Sequence, residues 1–173
     1  MKRVRLMAAS TAVVALTALS SAGTAHALTP FELQNADGGL CLDASTDPGS
    51  PHAPGDKVQL WTCDGSANQK WLVGPNGELV NQDGGLCLDA STDPGDPYSN
   101  GDAVQLWTCN GGSNQRWYWT SSSSLAYNVI LNEVWSLALD ASTNPGSPHV
   151  PGDAVQLWSD DGGPNQQWAQ IIP

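Results

Sequence analysis

The sequence predicts an all-β protein built from three copies of one repeat, and three observations support this prediction. A motif of ten residues recurs, starting at Leu40, Leu86 and Leu137. Short runs in which apolar and polar residues alternate, such as residues 57–61, are separated by clusters of Pro, Gly, Asp and Ser, which is typical of strands joined by turns. After the amino-terminal segment, no stretch keeps the period of an amphipathic helix.

The amino-terminal segment has the three parts of a secretory signal peptide. Positive charges lie within the first five residues, an apolar run covers residues 6–19, and an Ala-His-Ala cleavage motif occupies residues 25–27. An uncleaved membrane anchor is the alternative, but the apolar run is short and interrupted by Thr and Ser. We therefore expect residues 1–27 to be removed and residues 28–173 to be secreted as an extracellular protein.

Charge and cysteine content narrow the class of the mature chain. Removal of 27 of the 173 residues leaves 146, which is enough for one domain with its own core. The removed segment carries three of the six basic residues and none of the 17 acidic ones, so the mature net charge is −14. Such a surface repels phosphate backbones and anionic lipid, and we expect neither nucleic-acid partners nor membrane insertion. The four cysteines of an exported chain indicate disulfides.

Each repeat contains three segments in a fixed order: Leu-x-Leu-Asp-Ala-Ser-Thr, Val-Gln-Leu-Trp and Asn-Gln-x-Trp. The aspartate of the first precedes the glutamine of the third by 26 positions in every copy, whereas the copies are offset by 46 and 51 positions. The longer offset places five extra residues around residues 120–136, between units rather than within one. This predicts repeats at about 31–76, 77–122 and 123–173 that share one core, because about 46 residues alone would bury too little surface.

Strand alternation predicts which side chains share a face, because successive residues of a strand point to opposite sides of the sheet. Leu42 faces the core in this scheme, whereas Cys41 and Asp43 face the other side. Gln59 and Trp61 lie on the corresponding side of the next strand. Each repeat is therefore expected to place a carboxylate, an amide and an indole on one exposed polar face.

The four cysteines allow three disulfide pairings. Equal intervals of 22 residues favour two of the possible bonds, Cys41–Cys63 and Cys87–Cys109. The third repeat has Ala138 and Asp160 at the equivalent positions, so we expect it to lack this crosslink.

This combination of groups suits a sugar as the ligand. A carboxylate accepts hydrogen bonds from vicinal hydroxyls, an amide recognises a further hydroxyl, and a flat aromatic face covers the apolar C–H side of a sugar ring. The sequence therefore predicts glycans or polysaccharides as partners, with no cofactor and no metal. Calcium held by loop acids such as Asp47 and Asp56 is an alternative.

Three Gln-x-Trp motifs, at residues 69–71, 115–117 and 166–168, resemble those of the ricin-type lectins, also known as family 13 carbohydrate-binding modules. The Cys-Leu-Asp and Gln-Leu-Trp segments match that family as well, and the resemblance covers the whole mature chain. It implies a β-trefoil of three repeats with pseudo-threefold symmetry, twelve strands and up to three shallow sugar sites. The ligands that it implies are galactose-type glycans, or xylan and arabinose-containing chains.

The resemblance also implies roles for five positions in each repeat. An aspartate binds sugar hydroxyls, at Asp43, Asp89 and Asp140. An indole stacks on the sugar ring, at Trp61, Trp107 and Trp158. An asparagine binds a further hydroxyl, at Asn68, Asn114 and Asn165. The next glutamine supports the aspartate, at Gln69, Gln115 and Gln166, and another reaches the rim of the sugar, at Gln59, Gln105 and Gln156.

Several of these residues also have structural interpretations. The three aspartates could instead accept turn amides, and the three stacking indoles could instead be structural. A core position is expected for the tryptophans of the Gln-x-Trp motifs, since large apolar residues meet where repeats pack together: Trp71, Trp117 and Trp168. One loop position could form a second wall of each site or pack its own loop: His52, Tyr98 and His149.

The sequence does not predict an enzyme. Glycoside hydrolysis needs two carboxylates in different environments, whereas here one carboxylate pattern recurs in three equivalent contexts. There is no catalytic-triad pattern, phosphate-binding loop or zinc-ligand spacing. The alternative function is that of a β-trefoil that binds proteins, as an inhibitor or interaction module. Such a protein would not need the sugar-binding set in all three repeats.

Overall fold

The computed structural model describes residues 29–45, 52–91, 98–122, 126–142 and 148–172. The expected signal peptide and the acid Asp47 lie outside these residues. The first four strands are β1 (Glu32–Asn35), β2 (Cys41–Ala44), β3 (Val58–Trp61) and β4 (Trp71–Val73). The next four are β5 (Leu79–Asn81), β6 (Cys87–Ala90), β7 (Val104–Trp107) and β8 (Trp117–Ser121). The last four are β9 (Asn128–Asn132), β10 (Ala138–Ala141), β11 (Val155–Trp158) and β12 (Gln167–Ile171). The prediction of an all-β fold is confirmed.

Strand pairing divides the molecule into a barrel and three hairpins. The barrel forms where β1 pairs with β12, β4 with β5, β8 with β9, and β9 with β12, all antiparallel. The hairpins are β2–β3, β6–β7 and β10–β11. Isolated bridges join one hairpin to the next, between Lys57 and Gln105, Gln59 and Ala154, and Ala103 and Gln156. This arrangement is a β-trefoil with pseudo-threefold symmetry, as the resemblance implies.

The core lies between the barrel and the hairpins and is built from the same positions of each repeat. Leu42, Leu88 and Leu139 are completely buried, as strand alternation predicts for the face that carries the leucines. The tryptophans of the Gln-x-Trp motifs are also buried, which confirms their expected place in the core. Their indole N–H groups donate to the leucine carbonyls over 3.1, 3.0 and 2.8 Å, in the pairs Trp71–Leu42, Trp117–Leu88 and Trp168–Leu139.

Both predicted disulfides are present, Cys41–Cys63 and Cys87–Cys109. Each ties the first strand of a hairpin to the chain that follows the second strand, beside the residues predicted for the site. The third hairpin has the buried methyl group of Ala138 at this place. Its register is nevertheless the same, since Ala138 lies opposite Trp158 as Cys41 lies opposite Trp61.

Two further findings concern the described ranges only. They contain no helix that is long and apolar enough to cross a membrane. They also contain no group of three or more His, Cys, Asp or Glu side chains placed to hold a metal ion.

Candidate functional site

The hairpin register brings the predicted site residues of each repeat together. In the first hairpin, Asp43 lies opposite Gln59 and Cys41 lies opposite Trp61. A short 3₁₀ turn, Ala67–Gln69, then packs against β2, the strand that carries Asp43. The Asp43 carboxylate accepts hydrogen bonds from the amides of Gln59 (3.1 Å), Asn68 (2.8 Å) and Gln69 (3.0 Å).

The other two repeats reproduce this cluster. The 3₁₀ turns Ser113–Gln115 and Pro164–Gln166 carry the equivalent amides. In the second repeat, three amide groups donate to Asp89: Gln105 (3.2 Å), Asn114 (2.8 Å) and Gln115 (2.8 Å). In the third repeat, three donate to Asp140: Gln156 (2.9 Å), Asn165 (2.7 Å) and Gln166 (3.0 Å). The twelve predicted acid and amide residues therefore gather in three equivalent clusters, and the register places the indole of each repeat on the same face of its hairpin as the glutamine two residues before it.

The aspartates are buried, which corrects the expectation of an exposed carboxylate. Asp43, Asp89 and Asp140 retain only 3, 3 and 2% of their surface. The three amide side chains around each aspartate cover its carboxylate, so that the aspartate forms the floor of its cluster rather than the rim. In the described part of the chain, the donors to Asp43 are three side-chain amides. Loss of water contact is the largest effect and raises the pKa of each carboxyl above its ordinary value, although the amide donors oppose it.

A second acid distinguishes two of the clusters from the third. The charge of Asp64 further raises the pKa of Asp43, and the charge of Asp161 does the same for Asp140. The second repeat has Asn110 at this position, and no neighbouring charge contributes to the raised pKa of Asp89. The second cluster therefore lacks the second carboxylate that the other two clusters have.

The three predicted stacking indoles are exposed, which removes the alternative that they belong to the core. Trp61, Trp107 and Trp158 retain 42, 40 and 37% of their surface. Each indole also lies beside a glycine of another repeat, in the pairs Trp61–Gly152, Trp107–Gly55 and Trp158–Gly101. A Cβ atom at any of these glycines would lie 3.9 Å from Cζ3 of the ring. Backbone hydrogen bonds fix the same contacts, such as that from Gly152 N to Leu60 O (2.8 Å).

The first cluster opens to solvent as a depression of about 350 Å³, within the size range of small-ligand sites. Its lining consists of Asp43, Gln59, Trp61, Asp64, Ser66 and Asn68. The repeat pattern does not identify Asp64 and Ser66 as site residues, although they lie just before the Asn-Gln-x-Trp segment. Gln69 is completely buried behind the aspartate, so its position suits support of the carboxylate rather than contact with a ligand.

The asparagines are not equivalent in their free hydrogen-bonding groups. Every one donates to its aspartate, but in the first repeat the Ser66 hydroxyl also donates to Oδ1 of Asn68. The other repeats have Gly112 and Gly163 in place of Ser66. In the described part of the chain, no hydrogen bond reaches Oδ1 of the second and third asparagines, Asn114 and Asn165.

At the loop position that allowed two interpretations, the histidines of the first and third repeats are buried packing residues. The imidazoles of His52 and His149 are 2% exposed, and each lies against a turn of another repeat. Nε2 of His52 is 3.4 Å from Asp83, and Nε2 of His149 is 3.3 Å from Asp37. Tyr98 packs against the edge of the core. The alternative in which the histidines form a second wall of the site is therefore wrong.

A profile of the ricin-type β-trefoil lectin domain matches residues 29–168, which is most of the chain. The chain belongs to this family. The matched range includes all three clusters and all three Gln-x-Trp motifs. No curated protein sequence is significantly similar to the chain.

Solved structures with the same fold include designed, toxic and enzymatic proteins. The designed threefold-symmetric protein ThreeFoil is 26% identical, with a TM-score of 0.69 over 82% of this chain and 97% of its own. The hemolytic lectin CEL-III is 26% identical, with a TM-score of 0.65 over 82% of this chain. The exo-β-1,3-galactanase 1,3Gal43A from Clostridium thermocellum is 29% identical, with a TM-score of 0.66 over 84% of this chain. The chain spans 30% of the length of each of the last two proteins.

Proposed function

We propose that this protein is a secreted lectin that binds galactose-type or xylan- and arabinan-type glycans through up to three shallow sites. One observation carries the proposal. In every repeat an exposed indole lies beside a buried carboxylate that three amides hold in place. A rigid acceptor next to a flat apolar face matches a sugar, which has hydroxyls on its edge and C–H groups on its face.

Hydrogen-bond capacity indicates how the carboxylate would act. An ionised carboxylate has about four acceptor positions, and the amides of Gln59, Asn68 and Gln69 occupy three of those of Asp43. Oδ2 accepts two of these bonds and Oδ1 accepts one. A sugar hydroxyl would therefore donate to Oδ1, while the ring lies against Trp61. Further hydroxyls would reach two groups at the rim of the depression, the side-chain carbonyl of Gln59 and the carboxylate of Asp64.

The galactanase among the relatives supports galactose-containing glycans as the first candidates. One is a hemolytic lectin, and another contains an enzyme that acts on β-1,3-galactan. Because the chain spans only 30% of each, hemolysis and hydrolysis are not carried over to it. The same buried carboxylate held by three side-chain amides recurs in every repeat, which favours three binding sites over one reaction centre.

Secretion is proposed on the amino-terminal pattern together with the two disulfides, because such bonds persist in oxidising compartments. The mass of the exported protein tests it. Cleavage after Ala27 predicts a mature chain that starts at Leu28, and a mass that includes residues 1–27 would contradict the proposal.

Removal of the three stacking indoles is the sharpest test of sugar binding. Aspartate variants are less suitable, because Asp→Ala would leave buried amides without an acceptor and would destabilise the fold. We expect Trp61→Ala, Trp107→Ala and Trp158→Ala together to weaken binding to immobilised galactan or arabinoxylan at least tenfold. The thermal midpoint should fall, because each ring is only partly exposed and packs against a glycine of another repeat, so binding is compared at a temperature at which both proteins are folded.

Ile172→Ala provides the control, since this side chain is exposed and belongs to no cluster. It should bind like the wild type. Undiminished binding by the triple variant would contradict the proposal. Capture of proteins without any glycan binding would favour the interaction-module alternative instead.

A further inference from the structure

The junction between the second and third repeats differs from the other two junctions. Where the loops of the first and third repeats carry His52 and His149, the second repeat carries Tyr98. Where the turns of the first and second repeats have Gly38 and Gly84, the third repeat has Trp135. The histidines pack closely over these glycines, and a Cβ atom at Gly84 would lie 3.2 Å from Cβ of His52.

The changes at this junction form one aromatic surface. The rings of Tyr98 and Trp135 have centroids 6.3 Å apart, at an angle of 57°. Tyr118 donates its hydroxyl to Oγ of Ser136, the residue next to Trp135, over 2.8 Å. We call Tyr98, Tyr118, Trp135 and Ser136 the junction surface. At the positions equivalent to Tyr118, the other repeats have the aliphatic residues Leu72 and Ala169.

Folding alone does not account for the junction surface. Trp135 is 54% exposed, so its ring contributes little to the core. Ser136 has φ +56°, in the left-handed region where the other repeats have Gly39 (+69°) and Gly85 (+67°). A residue with a side chain is strained in this conformation, and such strain is found more often at functional positions. Its hydroxyl accepts the bond from Tyr118, which no glycine could do.

The junction surface is continuous with the candidate site of the second repeat. The Tyr98 hydroxyl lies 3.4 Å from the carbonyl oxygen of Ala90. The same oxygen accepts a hydrogen bond (3.2 Å) from Asn114, which also holds the carboxylate of Asp89. Exposed rings with hydroxyls beside them present apolar faces and hydrogen-bonding edges together, as the primary sites do.

We propose that the junction surface is a subsite that binds a further sugar residue of a glycan chain already held by the second repeat. This inference rests on the proposed function and deepens it, because it makes the second site selective for oligosaccharides over monosaccharides. Trp135 stacks on the added ring, and the hydroxyls of Tyr118 and Ser136 bind its edge. Among the described residues, the first and third sites have no such surface, since their junctions carry a buried histidine and a glycine.

The test uses the full mature protein with one site left active at a time. Trp61→Ala with Trp158→Ala leaves the second site, and Trp107→Ala with Trp158→Ala leaves the first. Trp135→Ala is added to each background, and binding of galactose and of β-1,3-linked galactotetraose is measured by calorimetry. Arabinose and an arabinoxylan oligosaccharide serve as the second pair of probes.

In the second-site background, Trp135→Ala should weaken oligosaccharide binding about fivefold, as expected for one lost ring contact. Monosaccharide binding should not change, and Trp135→Phe should restore most of the loss. In the first-site background, Trp135→Ala should have no effect. The proposal is overturned if Trp135→Ala leaves the oligosaccharide affinity of the second-site background unchanged. It is also overturned if Trp135→Ala changes only the self-association of the protein. If the wild type binds none of the four probes, the proposed function fails together with the subsite.

Discussion

Each candidate site depends on an aspartate whose charge is expensive to bury and is compensated by three amide donors. Burial without partners would cost several kcal/mol, so the cluster is stable only because Gln59, Asn68 and Gln69 all point at Asp43. The amides also fix the orientation of the carboxylate before any ligand arrives. Preorganisation of this kind lowers the entropy lost on binding.

The raised pKa of the aspartates predicts a pH dependence that separates binding from folding. Sugar affinity should fall as pH drops through the range just above the ordinary aspartate pKa, because protonation removes the acceptor. A carboxyl whose pKa is raised on folding binds its proton more tightly in the folded state than in the unfolded state. These three groups therefore oppose folding at high pH, and their protonation does not promote unfolding. Asp64→Asn should lower the pKa of Asp43 and move the loss of binding at the first site to lower pH.

Carboxyl chemical shifts followed by NMR through an acid titration measure both effects. Asp89 is the internal reference, because Asn110 already occupies the position of Asp64 in its repeat. An identical pKa of Asp43 with and without Asp64 would contradict the claim that the charge of Asp64 raises it.

The residue types of the sites could be predicted from the sequence, but the burial of the aspartates could not. Strand alternation places Asp43 and Trp61 on the same face without showing how deep each lies. The depth depends on Asn68 and Gln69, which come from a 3₁₀ turn 25 and 26 residues along the chain. The position of that turn over the hairpin is a tertiary feature, and the local sequence contains no signal for it.

At the scale of elements, each repeat contributes one hairpin that carries its candidate site. Two hairpins carry the disulfide, and the third keeps the same register without it. The cysteine pairs were predictable from their equal spacing. The packing of each indole against a glycine of another repeat was not, because these contacts join distant segments such as Trp61 and Gly152.

The matching register predicts that a third disulfide can be introduced. Ala138→Cys with Asp160→Cys should form the bond spontaneously, because the two positions match those of the natural pairs. In the chain-entropy model, a loop of this length stabilises the fold by about 3 kcal/mol. Thiol titration and the thermal midpoint measure the result, with Ala138→Ser and Asp160→Ser as the control. Two free thiols in the folded variant would show that the third hairpin differs from the others.

For the whole molecule, the important feature is that the three candidate sites lie on equivalent hairpins around one shared core. A shallow monosaccharide site binds at about millimolar affinity, or about −4 kcal/mol. Three such sites can gain about a hundredfold on a branched or polymeric glycan when the spacing permits. The threefold repeat made this architecture predictable, whereas the interlocking of the repeats depends on packing between segments far apart in the sequence.

Multivalency predicts a stepwise loss of affinity for a polymer. Removing one indole should weaken binding to immobilised galactan by several fold, and removing a second should bring it close to the affinity for the monosaccharide. Surface-coupled binding assays on the single and double variants of Trp61, Trp107 and Trp158 measure this series. A single variant that removes all polymer binding would instead indicate one working site.

The most direct test of the central claim is the crystal structure of the mature protein with the glycan that binds best in an array. A sugar ring is expected against an exposed indole in at least one repeat, with a hydroxyl within hydrogen-bonding distance of Oδ1 of Asp43 or its equivalent. A glycan bound with its ring away from Trp61, Trp107 and Trp158, and with no hydroxyl at the three aspartates, would contradict it.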